Sequence, residues 1–125
     1  MRSSESAEMY LETIYMLHLE SERVQAVDIA RKMGFSKPTI SEWMGKLRRA
    51  GLVEIESGNI TLTPEGEKAA AKIYERHITI TRILRGIGIS EKTAEEDACR
   101  IEHYISDETF DCLKRHLAEH DRNRS

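Results

Sequence analysis

Three side chains of metal-ligating type are grouped in the segment Cys99-Arg100-Ile101-Glu102-His103. Nothing in the run 94–105 breaks a helix before Ser106, and residues three and four apart share a helix face. The spacing therefore predicts that a thiol, a carboxylate and an imidazole converge on one spot. A borderline-soft divalent transition metal accepts these three ligand types. The alternative is a buried cysteine beside a surface glutamate and histidine, so the choice depends on ligands from other segments.

Further candidate ligands lie on two other predicted helices. His77 falls on the apolar stripe of a long helix that Thr63 caps and that ends at Gly86. The usual role of such a histidine is a core hydrogen bond to a backbone carbonyl, with metal ligation as the alternative. Met9 and Glu12 lie three apart on a first helix predicted over 5–20. Taken alone, they fit a core filler and a solvated charge.

The composition bounds the class of protein. The chain has 125 residues, of which 39% are hydrophobic and 33% charged, and this balance is typical of a soluble, mostly helical protein. No apolar run approaches membrane-spanning length, and the N-terminus lacks the apolar region of a signal peptide. Cys99 and Cys112 are the only cysteines, which fits a reducing compartment better than a disulfide framework. We therefore expect a cytoplasmic protein with no membrane partner.

The net charge of −3 hides an uneven distribution of charge along the chain. The stretch 31–49 contains six Lys and Arg residues against the single acid Glu42, whereas acids dominate beyond Gly86. A basic N-terminal half and an acidic C-terminal half are typical of a module that contacts phosphates joined to a module that binds a cation.

A helix-turn-helix pattern occupies the basic stretch. A short helix over 27–33 ends at Gly34, and a second helix begins with a Ser36 cap and Pro38 in its first turn and runs to residue 50. Its apolar stripe is Ile40, Met44 and Leu47. Recognition helices meet base edges with their N-terminal residues, and basic residues further along serve phosphates. The candidate DNA-binding residues are Ser36, Lys37, Pro38, Thr39, Ser41, Glu42, Lys46, Arg48 and Arg49.

The next segment favours this interpretation over a helical hairpin with a solvated basic face. Residues 52–56 and 60–63 alternate apolar and polar positions around Ser57-Gly58-Asn59, which predicts a two-stranded hairpin. A hairpin directly after a helix-turn-helix is a wing. We predict a mostly α fold with a small β-wing: a winged-helix DNA-binding domain over 1–63 and a helical metal-binding and dimerisation domain over 64–125, with 64–85 as a connecting helix.

Several stretches together resemble the diphtheria toxin repressor family of metal-dependent transcriptional regulators. They follow the family order over nearly the whole chain. They are residues 8–15 (EMYLETIY), 36–41 (SKPTIS), 62–66 (LTPEG), 76–77 (RH) and 97–103 (DACRIEH).

The resemblance implies a set of metal ligands. In the iron-responsive branch the primary site takes a Met from the first helix and a Cys, Glu and His from a later one, and Met9, Cys99, Glu102 and His103 match all four. An ancillary site uses a His matched by His77, while its other helical ligands fall at Thr81, a poor replacement for a carboxylate, and at Glu95. The SH3-like C-terminal domain of that branch is expected to be absent here.

The manganese-responsive branch is also short and lacks that domain. It has Asp at the position of Met9 and Glu at the position of Cys99, and it shares Glu12, His77, Glu102 and His103. The chain is thus similar to the manganese branch in length and to the iron branch in its sulfur donors. Soft donors favour Fe(II), with Co(II), Ni(II) or Zn(II) as substitutes, over Mn(II). The sequence predicts Fe(II), with Mn(II) as the alternative.

The resemblance implies a homodimeric repressor of metal-uptake genes that binds a palindromic double-stranded DNA operator when metal is bound. One alternative is a winged-helix regulator that senses an organic ligand or a redox state, with His77 and Cys99 as core residues. A metalloenzyme would need a general base besides the ligands or a Gly-rich phosphate loop, and the sequence offers neither. We therefore expect no enzymatic activity.

Overall fold

The computed structural model describes residues 3–123, with side chains from Glu5 onward. Over that range the elements are mostly helical, with one antiparallel pair of strands. In chain order they are α1 (Ser3–Glu20), α2 (Ala26–Met33), α3 (Lys37–Arg49), β1 (Val53–Glu56), β2 (Asn59–Leu62), α4 (Pro64–Gly86), α5 (Glu91–Ile101) and α6 (Asp107–Asn123). The predicted fold class is confirmed. None of the described helices is long and apolar enough to cross a membrane.

The residues divide into two compact units between Lys72 and Ile73, inside α4. The first unit buries one apolar cluster among α1, α2, α3, the strands and the start of α4. The predicted stripe of Ile40, Met44 and Leu47 lies in this cluster. Its other buried members are Tyr10, Leu11, Ile14, Val24, Ile29, Val53, Ile60 and Ala70.

The helix-turn-helix forms through local caps, as predicted. Gly34 ends α2 with φ 74°, a left-handed conformation that glycine adopts without steric cost, and its N–H donates to the carbonyl of Ala30 at 2.8 Å. Ser36 caps α3, since its hydroxyl accepts from the N–H of Thr39 at 3.4 Å. These caps hold the exposed start of α3 beside α2.

The hairpin that follows α3 pairs Val53 with Leu62 and Ile55 with Ile60. Its turn is Ser57-Gly58, with φ values of 51° and 79°, and two positive values match the twist of a tight hairpin. Asn59, predicted as a turn residue, is instead the first residue of β2. Its side-chain oxygen accepts from the N–H of Val24 at 2.9 Å, so it ties the wing to the segment before α2.

The second unit contains the rest of α4 with α5 and α6. The predicted uninterrupted helix to residue 105 is wrong, because α5 ends at Ile101 and Glu102 is its C-cap. Just beyond this end, the guanidinium of Arg76 in α4 donates to the carbonyls of Glu102 and Ile105. Ser106 then caps α6 by accepting from the N–H of Thr109 at 3.0 Å.

Candidate metal centre and nucleic-acid interface

A fully buried carboxylate lies at the middle of the candidate metal centre. Glu102 has 0% relative exposure. Its Oε2 is 3.1 Å from Nδ1 of His77, and its Oε1 is 3.4 Å from Nε2 of His103. The sulfur of Cys99 lies within 4.8 Å of a Glu102 carboxylate oxygen. The second unit thus brings together two imidazoles, a thiol and a carboxylate.

Three separate pieces of backbone position these side chains. His77 comes from the buried stripe of α4, and Cys99 from the last turn of α5. Glu102 retains helical backbone angles and donates its N–H to the carbonyl of Ala98 at 2.9 Å. It therefore still lies on the Cys99 face, although α5 has ended. His103 follows in the turn, where its side chain is 1% exposed.

The other two positions of the predicted ancillary site are Thr81 on α4 and Glu95 on α5. Glu95 lies exposed on α5 and makes no hydrogen bond or ion pair to any residue that the structure describes. Thr81 is buried on α4 with a hydroxyl in place of a carboxylate. Of the proposed ancillary set, only His77 lies beside Glu102.

The remaining predicted ligands lie in the first unit. Glu12 is only 5% exposed, although its helix neighbours Leu11 and Ile14 belong to the apolar cluster. Met9 is half-buried, and its carbonyl accepts from the hydroxyl of Thr13 at 2.8 Å. Because Glu12 is buried, the sequence-based alternative of a solvated charge at this position is wrong.

The chemical types of the donor atoms in this cluster indicate which kind of metal ion it fits. Cys99 is half-buried and is not part of a disulfide, so it offers a sulfur donor to the cluster. Thiolate and imidazole donors suit borderline-soft divalent transition ions, whereas Mg²⁺ and Ca²⁺ take oxygen ligands. The burial of Glu102 is also what a cation would compensate, because a buried carboxylate is stabilised by a nearby positive charge. The residues present fit a divalent transition metal.

The candidate nucleic-acid interface is the exposed side of α3. All of its predicted DNA-binding residues are exposed except the half-buried Thr39. Lys46 forms an ion pair with Glu42 at 3.5 Å and lies 4.6 Å from the centroid of the Trp43 ring. Arg48 forms no ion pair with any residue in the described range, so its charge faces solvent. The side chain of Ser36 is engaged in its cap, which leaves its neighbours to meet a base or phosphate.

Two sets of contacts at these sites were not predicted from the sequence. Tyr10 of α1 stacks on Trp43 of α3 with ring centroids 5.2 Å apart and an interplanar angle of 27°. Burial raises the pKa of Tyr10, and the Glu42 carboxylate adds to the rise. The second set is made by the buried Arg76, which precedes His77. Spacing carries no signal for either, because the partners are distant in sequence.

Comparison with known proteins finds matches over both halves of the chain. Residues 3–58 match the family described as "Iron dependent repressor, N-terminal DNA binding domain". Residues 63–124 match "Iron dependent repressor, metal binding and dimerisation domain". The HTH-type transcriptional regulator MJ0568 of Methanocaldococcus jannaschii is 39% identical over 89% of this chain and 91% of that protein. The transcriptional regulator MntR of Salmonella typhimurium is 35% identical over 89% of this chain and 71% of that protein.

A solved structure, that of the manganese regulator SloR, is similar with a TM-score of 0.78 and 30% identity. The match covers 90% of this chain but 53% of SloR, so the chain spans about half the length of that structure. The first domain match covers the helix-turn-helix and β1, and the second covers the buried ligand cluster. The chain belongs to the family of metal-dependent transcriptional repressors that includes MntR and the diphtheria toxin repressor.

Proposed function

We propose that this chain is a homodimeric repressor that binds a palindromic operator when Fe(II) is bound, and that it controls metal-uptake genes. The observation that carries the proposal is the fully buried Glu102 among two imidazoles and a thiol. The same chain presents an exposed helix-turn-helix with basic residues along α3. A metal site and a DNA-binding surface on one chain support metal-controlled DNA binding.

Cys99, Glu102, His103 and His77 would hold the metal. The family resemblance adds Met9 and Glu12 of α1 as ligands, and the burial of the Glu12 carboxylate supports that role. When bound, the ion supplies positive charge that compensates the thiolate and the carboxylates. Glu95 would at most serve an ancillary site, because it is exposed on α5.

The sulfur donors favour Fe(II) as the physiological metal. A thiolate from Cys99 and a thioether from Met9 are softer than the carboxylates that Mn(II) prefers. The alternative is Mn(II), supported by Glu12, His77, Glu102 and His103, which the manganese branch shares. It is also supported by MntR and by the manganese regulator SloR as relatives. Co(II), Ni(II) and Zn(II) would act as substitutes.

A homodimer would present two copies of α3 to successive major grooves, which lie about 34 Å apart on one face of DNA. The interface would use apolar residues near the end of α5 and on α6. Tyr104 supports this, because it is a large aromatic side chain with 61% exposure. Phe110 is buried in its own unit, which leaves Ile101, Ile105, Leu113 and Leu117 as half-buried members of the surface.

The proposal predicts that chelation weakens operator binding and that Fe(II), added without oxygen, restores it. Coupling free energies between two sites are typically about 1–3 kcal/mol, so we expect an about 5- to 150-fold change in operator affinity. Fluorescence anisotropy of labelled operator DNA would measure it, with Mn(II) titrated in parallel. Cys99→Ser should weaken the Fe(II) response, and Cys112→Ser, which changes the exposed cysteine of α6, should not.

Equal operator binding with chelator and with metal would contradict the proposal. That outcome would favour a winged-helix regulator that responds to an organic ligand or to cysteine oxidation. A larger response to Mn(II) than to Fe(II) would keep the metal switch and replace the metal.

The role of α3 leads to a separate prediction for Arg48. Arg48→Ala should weaken binding equally for operator and unrelated DNA, because phosphate contacts carry no sequence information. The slope of log affinity against log salt concentration should fall by about one. Arg82→Ala removes an exposed arginine of α4, outside the interface, and serves as the control. An unchanged slope for Arg48→Ala would remove this residue from the DNA-binding surface.

A further inference from the structure

Arg76 connects α4 to the segment that joins α5 and α6. Its side chain is 7% exposed. Nη1 donates to the carbonyl of Glu102 at 3.2 Å and to the carbonyl of Ile105 at 2.8 Å. Nη2 forms an ion pair with Asp107 at the start of α6. The guanidinium carbon lies 5.4 Å from the centroid of the Phe110 ring. One side chain therefore contacts both ends of the connection and the helix after it.

Glu102 and Ile105 lie beyond Ile101, the last residue of α5, so their carbonyls need a donor from outside that helix. The last carbonyls of a helix have no partner within the helix, and a buried carbonyl without one is costly. A guanidinium has five donors in a rigid plane, so it can bind several acceptors at once in a fixed arrangement. A lysine ammonium is a compact charge on a flexible stem and fixes such an arrangement less well. The geometry of the segment between α5 and α6 thus depends on the planar guanidinium of Arg76.

We propose that Arg76 is the positioning residue of the metal centre. It fixes the main chain of Glu102, whose carboxylate faces His77, the residue next to Arg76 on α4. The same turn of α4 thus carries the candidate ligand His77 and, through Arg76, fixes the backbone of the candidate ligand Glu102. Arg76 bonds the main chain of Glu102 and leaves the carboxylate to the imidazoles and the thiol. The inference rests on the proposed metal-dependent function.

Two variants of Arg76 and one of its partner test the proposal. Arg76→Met removes all the donors and keeps much of the apolar stem, Arg76→Lys keeps the charge, and Asp107→Asn removes only the ion pair. Arg82→Met is the matched control, since Arg82 is an exposed arginine of the same helix that forms an ion pair with Asp121 of α6 at 2.8 Å. Anaerobic Co(II) titration, followed by visible absorption, gives the affinity and reports sulfur coordination.

We expect Arg76→Met to lower the Co(II) affinity by about 10- to 100-fold, as loss of residues that orient ligands typically does. Arg76→Lys and Asp107→Asn should cause smaller losses, and Arg82→Met should cause none. In the metal-free protein, amide hydrogen exchange in 102–105 should be faster in the Arg76 variants than in Arg82→Met. A purely structural role would lower the denaturation midpoint but leave both the Co(II) affinity and the relative exchange of 102–105 unchanged.

The outcomes separate this inference from the function on which it rests. If wild type binds Co(II) and neither Arg76→Lys nor Asp107→Asn differs from Arg82→Met, the inference is overturned, whether or not Arg76→Met folds. If wild type binds no Co(II), or Glu102→Gln binds it as wild type does, the proposed function fails. If the proposed function fails, faster amide exchange of residues 102–105 in the Arg76 variants would still show that Arg76 stabilises the connection between α5 and α6.

Discussion

Glu102→Gln should lower the affinity for Fe(II) or Co(II) by more than about 100-fold, beyond the range seen when only an orienting residue is lost. The carboxylate is fully buried, with one oxygen 3.1 Å from His77 and the other 3.4 Å from His103. Glutamine keeps the shape of the side chain but removes its charge. Among the four donors of the second unit only Cys99 would then supply negative charge to the ion.

The matched control for this prediction is Glu95→Gln. It makes the same chemical change at an exposed position on α5, and we expect less than an about tenfold loss of affinity. Anaerobic titration with visible absorption measures both variants, and denaturation of the metal-free proteins separates binding from folding. An equal loss in both variants would move the metal site toward Glu95, and no loss in Glu102→Gln would remove the site altogether.

The same variant should also separate the metal from the DNA-binding surface. In the presence of metal, Glu102→Gln should bind operator as weakly as chelated wild type does. Its non-specific affinity for DNA should stay unchanged, because the exposed basic residues of α3 lie in the first unit, far along the chain from residue 102. Operator binding at the wild-type level would mean that metal does not control the winged helix through this glutamate.

The parts of the fold that could be predicted from the sequence are those determined within a few residues. Gly34 and Ser36 form their caps with residues four and three positions away, so the turn between α2 and α3 is readable from residue types alone. The same holds for the wing, where Ser57 and Gly58 take left-handed backbone angles. The three-residue spacing of Cys99 and Glu102 likewise placed both on one face.

The parts that could not be predicted depend on distant partners. The carbonyl of Glu102, at the end of α5, accepts from Arg76, which lies 26 residues earlier in the chain. Asn59 belongs to β2 rather than to the turn, and its side chain accepts a hydrogen bond from Val24, which lies 35 residues earlier. His77 faces Glu102 across 25 residues, and its place on the apolar stripe of α4 did not indicate this partner. Helical periodicity does not show which side chain takes up a carbonyl on another element.

Gly66→Ala should destabilise the first unit by about 3 kcal/mol, at the upper end of typical overpacking costs. Gly66 lies in the first turn of α4, and a Cβ there would come 2.0 Å from the carbonyl oxygen of Leu52 and 3.0 Å from its carbonyl carbon. That oxygen is held in place because it accepts from the N–H of Thr63 at 3.1 Å. Since the obstacle is backbone, relief requires α4 to move away from the strand. The helix-propensity gain of alanine over glycine, about 0.5–1 kcal/mol, is too small to offset this cost.

Gly86→Ala is the matched control, because Gly86 ends the same helix with no atom within 4 Å of its added Cβ. We expect it to change stability by less than about 1 kcal/mol, the intrinsic difference between the two residues. Trp43 is the only tryptophan and stacks on Tyr10, so its fluorescence during urea denaturation reports on the first unit. If Gly66→Ala unfolds at the urea concentration of wild type, the start of α4 does not press on Leu52. The wing would then be held by its apolar face and by its hydrogen bonds to His18, Arg23 and Val24, rather than by the helix that leads to His77.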